Sequence, residues 1–577
     1  MHQRLYIFGL VMIFLVSACS LSITATPPAT FPASAPSATA TPMATHSPTT
    51  APATSLATPS IAWQPTAVAS PFSSREAPLP TAVVTPALVN VGGEVCSADL
   101  AAQPPVTAPS TSTNDIDMQA AAMIGPARSA LTGMISLPHY TITVTMDMRG
   151  PSLFGVETLS FVNSEQTALN ELYFGLYPNA PFNGARLDVG DVTVNGRPAT
   201  TSLHESDTAM LVNLPAPLPA NGSLIVRMVF TTTIPTLVPT GYAPIIYSDD
   251  ILTAANWYPI LLVHDAAGWH TQLGPDYGDL VFSVSSLYTV NVTSPGDLII
   301  VASGVPSHVV QNADGTKTEI FHTGPARDFY LAASHSFCVA SRQVGETTVN
   351  SYYLQGHAET GQRAADVAAS TMAVLGQKVG IYPFREFDVV ESPTRAGGVE
   401  YPQIVAIGSH YYSTASRPRD IDFVVAHETA HQWWYSVVGN DQVMEPWLDE
   451  ALTNYSVTLY WQATYGAQAT ESLINQAFLA PYQAAVRSGR DMPVNLPASA
   501  YGDASTYSAI VYDKGALFFV NLRRTLGDDL FFRILREYYR LYAYGISRNG
   551  DFLNLAESIG GAAVQKVYDT WILGTRQ

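Results

Sequence analysis

The sequence His427-Glu428-Thr429-Ala430-His431, followed after 18 residues by Glu450, decides how this chain folds and what chemistry it can support. Helix positions four apart differ by only about 40° in direction, so both imidazoles leave the same helix face. Catalytic zinc sites use three protein ligands and leave the fourth position to water. The pattern therefore predicts one Zn²⁺ per chain, held by His427, His431 and Glu450.

The sequence around this motif predicts two helices. An apolar run from Ile421 to Trp434 predicts a buried helix that ends near Gly439-Asn440, a plausible C-terminal cap. A second helix, expected from about Glu445 to Tyr465, turns back and presents its carboxylate to the metal.

Glu428 directly follows the first histidine ligand, so it lies beside the open metal position rather than on the metal. Zinc lowers the pKa of its bound water to about 7, and a neighbouring carboxylate can take the proton as that water attacks a carbonyl. Glu428 is thus the candidate general base. The predicted chemistry is metal-assisted amide hydrolysis.

The motif resembles that of the gluzincin aminopeptidases, the aminopeptidase N-like family, in which HExxH is followed after 18 residues by a glutamate in a WLNE segment. Here that segment reads Trp447-Leu448-Asp449-Glu450. Aspartate replaces the usual asparagine beside the ligand, which leaves the ligand itself in place. The resemblance implies a zinc-dependent aminopeptidase that removes N-terminal residues from peptides.

A second segment, Gly397-Gly398-Val399-Glu400-Tyr401, resembles the family's Gly-x-Met-Glu-Asn element. The resemblance implies that Glu400 binds the free α-amino group of the substrate, and that Gly397 and Gly398 also contact the substrate. A fixed carboxylate that pairs with the substrate's α-ammonium group positions the substrate so that the bond after its first residue is cleaved. Val399 and Tyr401 depart from the family pattern, which predicts a differently shaped pocket for the first side chain.

A third segment, Tyr512-Asp513-Lys514-Gly515, resembles the family's Tyr-x-Lys-Gly signature. The resemblance implies that the Tyr512 hydroxyl stabilises the oxyanion of the tetrahedral intermediate. Tyr507 and Asn454 are lesser candidates, the first as a supporting hydroxyl and the second as a residue that orients a zinc ligand.

The beginning of the chain predicts export. Residues 5–18 form an apolar run too short for a comfortable membrane span but suited to a signal-peptide core, so 1–18 are expected to be a signal peptide. Val16-Ser17-Ala18-Cys19 resembles the bacterial lipobox, which implies cleavage before Cys19 and its acylation. Ordinary secretion or an uncleaved anchor are the alternatives. We expect a cell-surface or periplasmic protein, lipid-anchored to a bacterial membrane.

Residues 19–114 are dominated by Pro, Ala, Thr and Ser with almost no charge, which predicts a disordered stalk. Cys96 and Cys338 are the cysteines that remain besides Cys19. In an exported protein they either pair or stay as two free thiols.

The predicted fold class is multidomain α+β. Alternating apolar and polar residues predict an antiparallel β-rich domain over 137–342, as the resemblance to the family's N-terminal domain also implies. An α-rich, thermolysin-like zinc peptidase domain is expected over 345–577. The chain shows no counterpart of the long C-terminal helical domain of larger family members, which predicts a more open cleft.

One loop-like stretch of the β-rich region holds a cluster of potential metal ligands. Their spacing matches no ordered calcium-binding loop, so a solvated loop is the preferred interpretation. The cluster consists of His264, Asp265, His270, Asp276 and Asp279.

The net charge of −19 and the absence of basic runs argue against nucleic acid as a partner. We expect peptide substrates and a monomer. Two alternatives remain open: a zinc endopeptidase of the same fold, and a non-catalytic surface lipoprotein that binds peptides.

Overall fold

The computed structural model describes residues 89–90, 95–96, 115–134, 136–237, 242–413 and 418–574. The predicted signal peptide, Cys19 and nearly all of the predicted stalk lie outside these residues. Within the described ranges, no helix is long and apolar enough to cross a membrane.

The first half of the described chain is built on an eight-stranded sheet. Its strand His139–Asp147 buries every second residue, as the alternation in the sequence predicts. All pairings are antiparallel except one, because Ser286–Pro295 runs parallel to His139–Asp147. In spatial order the strands are Val305–Gln311, Thr316–Ala326, Ser286–Pro295, His139–Asp147, Ser152–Val162, Ser223–Thr233, Arg186–Val194 and Arg197–Pro198.

Smaller sheets complete this half, and their apolar side chains share one core with the large sheet. Trp257, Tyr258 and Tyr288 are fully buried there. One four-stranded sheet contains Ile245–Ser248, Ile251–Ala254, Leu331–Ser334 and Ile299–Ala302. The other contains Ile260–Leu261, Leu169–Gly175, Ala209–Leu218 and Thr201–His204, and a hairpin pairs His264–Asp265 with Gly268–Trp269.

The second half begins with a mixed seven-stranded sheet. Both short strands near the start of the described chain pair with Phe337–Val344, and a disulfide joins Cys96 to Cys338, directly opposite each other. The cysteines are therefore paired, and the two short strands fall within the range predicted as stalk. The seven strands are Val89–Asn90, Val95–Cys96, Phe337–Val344, Thr347–Leu354, Glu386–Ser392, Ile404–Gly408 and Gly398–Tyr401.

Helices form the rest of the second half and share a core with the inner face of this sheet. The α-helices are Asp115–Ala121, which precedes the β-rich half, and Ala358–Lys378, Pro418–Ala430, Trp447–Tyr465, Ala467–Leu473, Ala480–Arg487, Ala504–Tyr507, Gly515–Leu526, Asp528–Tyr542, Asn549–Gly560 and Ala563–Trp571. Short 3₁₀ turns are Gly125–Gly133, Tyr177–Asn179, Ser409–Tyr411 and Ala498–Tyr501, and π-helical segments are Ile474–Leu479 and Ser508–Lys514.

The predicted order, a β-rich region followed by a helix-rich one, is confirmed. The expected domain boundary between 342 and 345 falls inside the hairpin formed by Phe337–Val344 and Thr347–Leu354, so it does not separate two sheets. The β pattern runs through this boundary, and local alternation carries no information about which sheet a strand joins.

The predicted end of the first motif helix near Gly439-Asn440 is wrong, because the helix ends at Ala430. The buried guanidinium of Arg327 holds the turn that follows the helix, so the helix does not resume towards Gly439. It donates hydrogen bonds to the carbonyl oxygens of Tyr435, at 2.5 Å, and of Gly545. A carbonyl held by a side chain from the β-rich half is unavailable to a helix, and Tyr435 adopts φ of 117°.

Glu157 lies on a strand of the eight-stranded sheet, and its carboxyl group is buried in the protein core. Its side chain is fully buried, and neither carboxyl oxygen has a hydrogen-bond partner among the described residues. Burial raises the pKa of Glu157 well above its usual value. A carboxyl whose folded pKa exceeds its unfolded value, about 4.3, costs stability that grows as the pH rises above the unfolded value.

We expect Glu157→Leu to raise the free energy of unfolding at pH 7 by about 1–3 kcal/mol, since it removes an unpaired buried polar group. The gain should shrink as the pH falls towards about 4, because the unfolded wild-type carboxyl then also begins to bind a proton. Urea unfolding at several pH values measures this. A variant less stable than wild type at pH 7 would contradict this interpretation.

Candidate active site

The structure brings the three predicted metal ligands together. His427 lies near the end of helix Pro418–Ala430, His431 is the first residue after it, and Glu450 lies in the first turn of helix Trp447–Tyr465. The two Nε2 atoms are 3.1 Å apart, and Glu450 Oε2 lies 3.3 Å from that of His427 and 3.4 Å from that of His431. All three side chains are buried.

The donor chemistry of this trio fits zinc. His431 Nδ1 lies 3.0 Å from the carbonyl oxygen of Trp434, which can only accept, so Nδ1 carries the proton and Nε2 offers its lone pair. Burial alone raises the pKa of Glu450, but its contacts with His427 and His431 outweigh burial, and the pKa is lowered. Two imidazole nitrogens and a carboxylate oxygen that converge on one point are a zinc ligand set.

Glu428 lies beside this trio and against the strand that carries Glu400. A Cβ atom added to Gly398 would lie 2.4 Å from Glu428 Cγ, so only glycine allows the strand to approach the glutamate this closely. Ligand atoms of Glu400, Glu428 and His431 also lie within 4.8 Å of one another. Burial raises the pKa of Glu428 well above its usual value, with smaller contributions from the charges of Glu400 and Glu450, while His431 acts in the opposite direction.

Glu400 lies on the outermost strand of the seven-stranded sheet, Gly398–Tyr401, and is 6% exposed. Its Oε1 accepts a hydrogen bond of 2.8 Å from Gln442 Nε2, and the same nitrogen donates to Asp449 Oδ2 at 2.9 Å. Burial raises the pKa of Glu400 to about 7. The neighbouring Tyr401 stacks on Tyr330 with ring centres 4.2 Å apart, which places an aromatic wall beside Glu400.

Tyr512 lies on the π-helical segment Ser508–Lys514, a distortion that often marks functional sites. Its hydroxyl donates a 2.5 Å hydrogen bond to Glu450 Oε1, and its ring stacks on His427 with centres 5.8 Å apart. Burial, followed by the charge of Glu450, raises the pKa of Tyr512 well above its usual value, so the phenol stays neutral.

The two lesser candidates also lie nearby. Tyr507 is 1% exposed, and its ring meets that of Tyr512 edge-on at 5.7 Å. Its hydroxyl has no hydrogen-bond partner among the described residues and faces Gly278. Asn454 is buried one turn after Glu450 on the same helix. Gly397 faces Tyr411: a Cβ atom added to Gly397 would lie 3.3 Å from the Tyr411 hydroxyl oxygen.

The loop cluster of the β-rich half divides into two groups, so the expectation of one solvated loop is wrong. His270 lies 3.0 Å from Asp265 and 3.5 Å from Asp441, and Arg548 lies 2.6 Å from Asp265, which makes a charged contact between the two halves. No triad with metal-ligand geometry is found there among the described residues. Asp279 instead faces the active site.

Asp279 lines one cavity together with Glu400 and Gln442, and its pKa reflects this position. Burial raises it well above its usual value, and the next causes are the charges of Glu400 and Glu450. Asp279, Gln442 and Asp449 are site residues that the sequence analysis did not identify as such. Asp449 adjoins the ligand Glu450 in the sequence, and Gln442 lies seven residues before Asp449. Nothing in the sequence connects Asp279 to the motif, because it lies 148 positions before His427.

Comparison with known proteins finds a family model that matches part of the second half. Residues 364–571 match the Peptidase family M1 domain. The chain is 27% identical over 277 residues to aminopeptidase 2, mitochondrial, of Saccharomyces cerevisiae. The aligned region covers 45% of this chain and 28% of that protein. It is 30% identical over 181 residues to aminopeptidase N of Lactococcus lactis, covering 30% of this chain and 21% of that protein. The matches thus span about a quarter of these relatives.

The fold has a solved counterpart in the M1 zinc metallopeptidase of Deinococcus radiodurans. The two structures superpose with a TM-score of 0.56 and 21% identity, over 77% of this chain and 94% of the other. A two-domain M1 zinc metallopeptidase superposes similarly, with a TM-score of 0.57, 21% identity, and coverage of 77% and 95%. Residues 364–571 are thus similar to the M1 peptidase domain, and the fold of the chain is similar to that of two-domain M1 zinc metallopeptidases.

Proposed function

We propose that this protein is a zinc-dependent aminopeptidase that hydrolyses N-terminal residues from extracellular peptides. The observation that carries the proposal is the convergence of His427, His431 and Glu450 within 3.4 Å beside two further buried glutamates, Glu400 and Glu428. Zinc held by the trio supplies a Lewis acid that acidifies water and polarises a carbonyl oxygen.

Glu428 is the proposed general base. It lies on the first ligand helix with its side chain against Gly398, and its raised pKa favours binding a proton. In this role Glu428 takes a proton from the attacking water and delivers it to the leaving amine. Tyr512 is the proposed oxyanion partner, because its neutral hydroxyl already points at the ligand Glu450 and can donate to the developing negative charge.

Glu400 and Asp279 together form the proposed site for the substrate's α-ammonium group. After burial, the charge of Glu400 is the next cause that raises the pKa of Asp279, and a cation between the two carboxyl groups would relieve this repulsion. Glu400 comes from the helix-rich half and Asp279 from the β-rich half. The edge of strand Gly398–Tyr401 leaves backbone groups that can pair with a peptide, which gives Gly397 and Gly398 their proposed contact with the substrate.

The location and partners of the protein are part of the same proposal. We propose export through residues 1–18 and lipid attachment at Cys19, with the enzyme a monomer at the cell surface or in the periplasm. The disulfide between Cys96 and Cys338 supports export, since disulfides persist in oxidising compartments. The net charge of −19 supports peptides rather than nucleic acid as partners.

Replacement of Glu428 by glutamine tests the general base. We expect kcat on an alanyl fluorogenic amide to fall by about 10²–10⁴-fold, because the amide cannot take a proton. The zinc content, measured by mass spectrometry of the purified protein, should stay at the wild-type level. A variant that retains at least a tenth of wild-type kcat would remove Glu428 from this role.

Removal of the Tyr512 hydroxyl tests oxyanion stabilisation. We expect Tyr512→Phe to lower kcat by about 10²–10³-fold with little change in KM, because the lost hydrogen bond forms mainly in the transition state. Tyr507→Phe is the matched control, since it removes a neighbouring buried hydroxyl that has no partner. If Tyr507→Phe has the larger effect on kcat, the oxyanion role does not belong to Tyr512.

Blocked substrates distinguish an aminopeptidase from an endopeptidase. We expect the full chain to cleave aminoacyl amides but not their N-acetylated forms, and a chelator to abolish cleavage. Glu400→Gln should lower kcat/KM on the free amides by about 10–100-fold, since a charge-assisted contact with the ammonium is lost. Efficient cleavage of acetylated peptides that is unaffected by Glu400→Gln would favour the endopeptidase alternative instead.

A further inference from the structure

A cavity of about 50 Å³ lies directly behind Glu400, at the junction of the two halves of the described chain. One water-sized group needs roughly 10–15 Å³, so the cavity holds about three to five such groups. That is the size of the polar end of one long side chain. Tyr242, Tyr401 and Tyr435 provide aromatic walls against which a methylene stem can pack.

Asp328 lies on the wall of this cavity and is 1% exposed. Its Oδ2 accepts hydrogen bonds from the Tyr435 hydroxyl and, at 3.5 Å, from Asn256 Nδ2. Its Oδ1 is buried and has no hydrogen-bond partner in the described part of the chain. A buried carboxylate oxygen without a partner is costly unless a ligand supplies one.

The cavity lacks positive charge. Asp276, Asp279, Asp328 and Glu400 all line it, whereas none of the described residues that line it is lysine, arginine or histidine. Arg327 precedes Asp328 in the chain, but its guanidinium is directed to the backbone carbonyls of Tyr435, Ser283 and Gly545. The substrate's α-ammonium offsets one of these negative charges, and the negative charge at Asp328 is left for a second cation.

We propose that this cavity receives the side chain of the substrate's first residue and selects a cationic one, lysine or arginine, with Asp328 as the residue that determines this specificity. The proposal rests on the proposed aminopeptidase function, because Glu400 must hold the α-amino group beside the cavity entrance. The positive end of the side chain then reaches Asp328 Oδ1, and its methylene groups lie between the tyrosine rings. Burial raises the pKa of Asp328 to about 7, and a bound cation favours its ionised form.

Lysyl and norleucyl amides form the sharpest test, because the two side chains have nearly the same length and differ in charge. We expect wild-type kcat/KM to be at least about 10-fold higher for the lysyl amide, the usual minimum for a buried hydrogen bond to a charged group. Asp328→Asn keeps an acceptor oxygen for Tyr435 but removes the charge. It should bring the lysyl-to-norleucyl ratio close to one, with norleucyl kcat/KM changed by less than about 3-fold.

Asp276→Asn is the matched control, because Asp276 lines the same cavity at its exposed rim and should leave most of the lysyl preference intact. The proposal is overturned if the wild type shows no preference for the lysyl amide. It is also overturned if Asp328→Asn lowers kcat/KM equally for both amides, since Asp328 would then only support Tyr435.

A substrate series keeps the test decisive if Asp328→Asn fails to fold by circular dichroism. Wild-type enzyme should then cleave the lysyl amide at least about 10-fold better than the ε-acetyl-lysyl amide, and an equal rate would overturn the proposal. Failure of the underlying aminopeptidase function has a different signature, because no lysyl, norleucyl or alanyl amide would be cleaved. Cleavage of all three without any charge preference refutes only the specificity.

Discussion

The structure depends on three acceptor atoms that converge inside the protein, the Nε2 atoms of His427 and His431 and Oε2 of Glu450, all within 3.4 Å of one another. Lone pairs at such distances repel unless a cation or a proton lies between them. Asp279, Glu400, Glu428 and Asp449 surround the trio, and burial raises the pKa of each of these four carboxyl groups. The chain therefore concentrates negative charge where a divalent metal and an ammonium group would neutralise it.

Both halves of the chain are needed to build this environment. The helix-rich half supplies the metal ligands, Glu428, Glu400 and Tyr512, while the β-rich half supplies Asp279 and Asp328. Arg327 fixes the junction, because its buried guanidinium holds backbone carbonyls of the turn that follows His431. A Cβ atom at Gly439 would lie 2.0 Å from Arg327 Cζ, so glycine at this position allows the two halves to meet so closely. The position of the ligand turn thus depends on a residue far from the motif.

The sequence predicted those parts of the site that are local in the chain. The spacing of His427, His431 and Glu450 follows from helix geometry and one turn, and the structure brings these residues together. Glu400 and Tyr512 were reached through resemblance to a family, because a glutamate in a glycine-rich segment or one tyrosine of 29 carries no physical signal alone. The β-rich region was predicted from its alternating pattern, which the strand burial of His139–Asp147 reproduces.

The remaining features are long-range and leave no local pattern. Asp279 was placed in a solvated loop, because a carboxylate in an irregular segment is usually solvated and only tertiary packing turns it towards the cleft. The apolar run beyond Ala430 predicted a longer helix than forms. Arg327, which holds the turn after this helix, lies more than a hundred positions before that turn in the chain. The parallel pairing of Ser286–Pro295 with His139–Asp147 likewise could not be read from alternation, which is the same in both strand orientations.

We expect one zinc ion to be held jointly by His427, His431 and Glu450. Anomalous X-ray diffraction from crystals of the zinc-loaded protein, collected on both sides of the zinc absorption edge, tests it directly. The expected result is a single strong peak about 2.0–2.2 Å from Nε2 of both histidines and from a carboxylate oxygen of Glu450. A peak bound instead by Glu400, Glu428 and His431, or no peak at this cluster in zinc-loaded crystals, would contradict it.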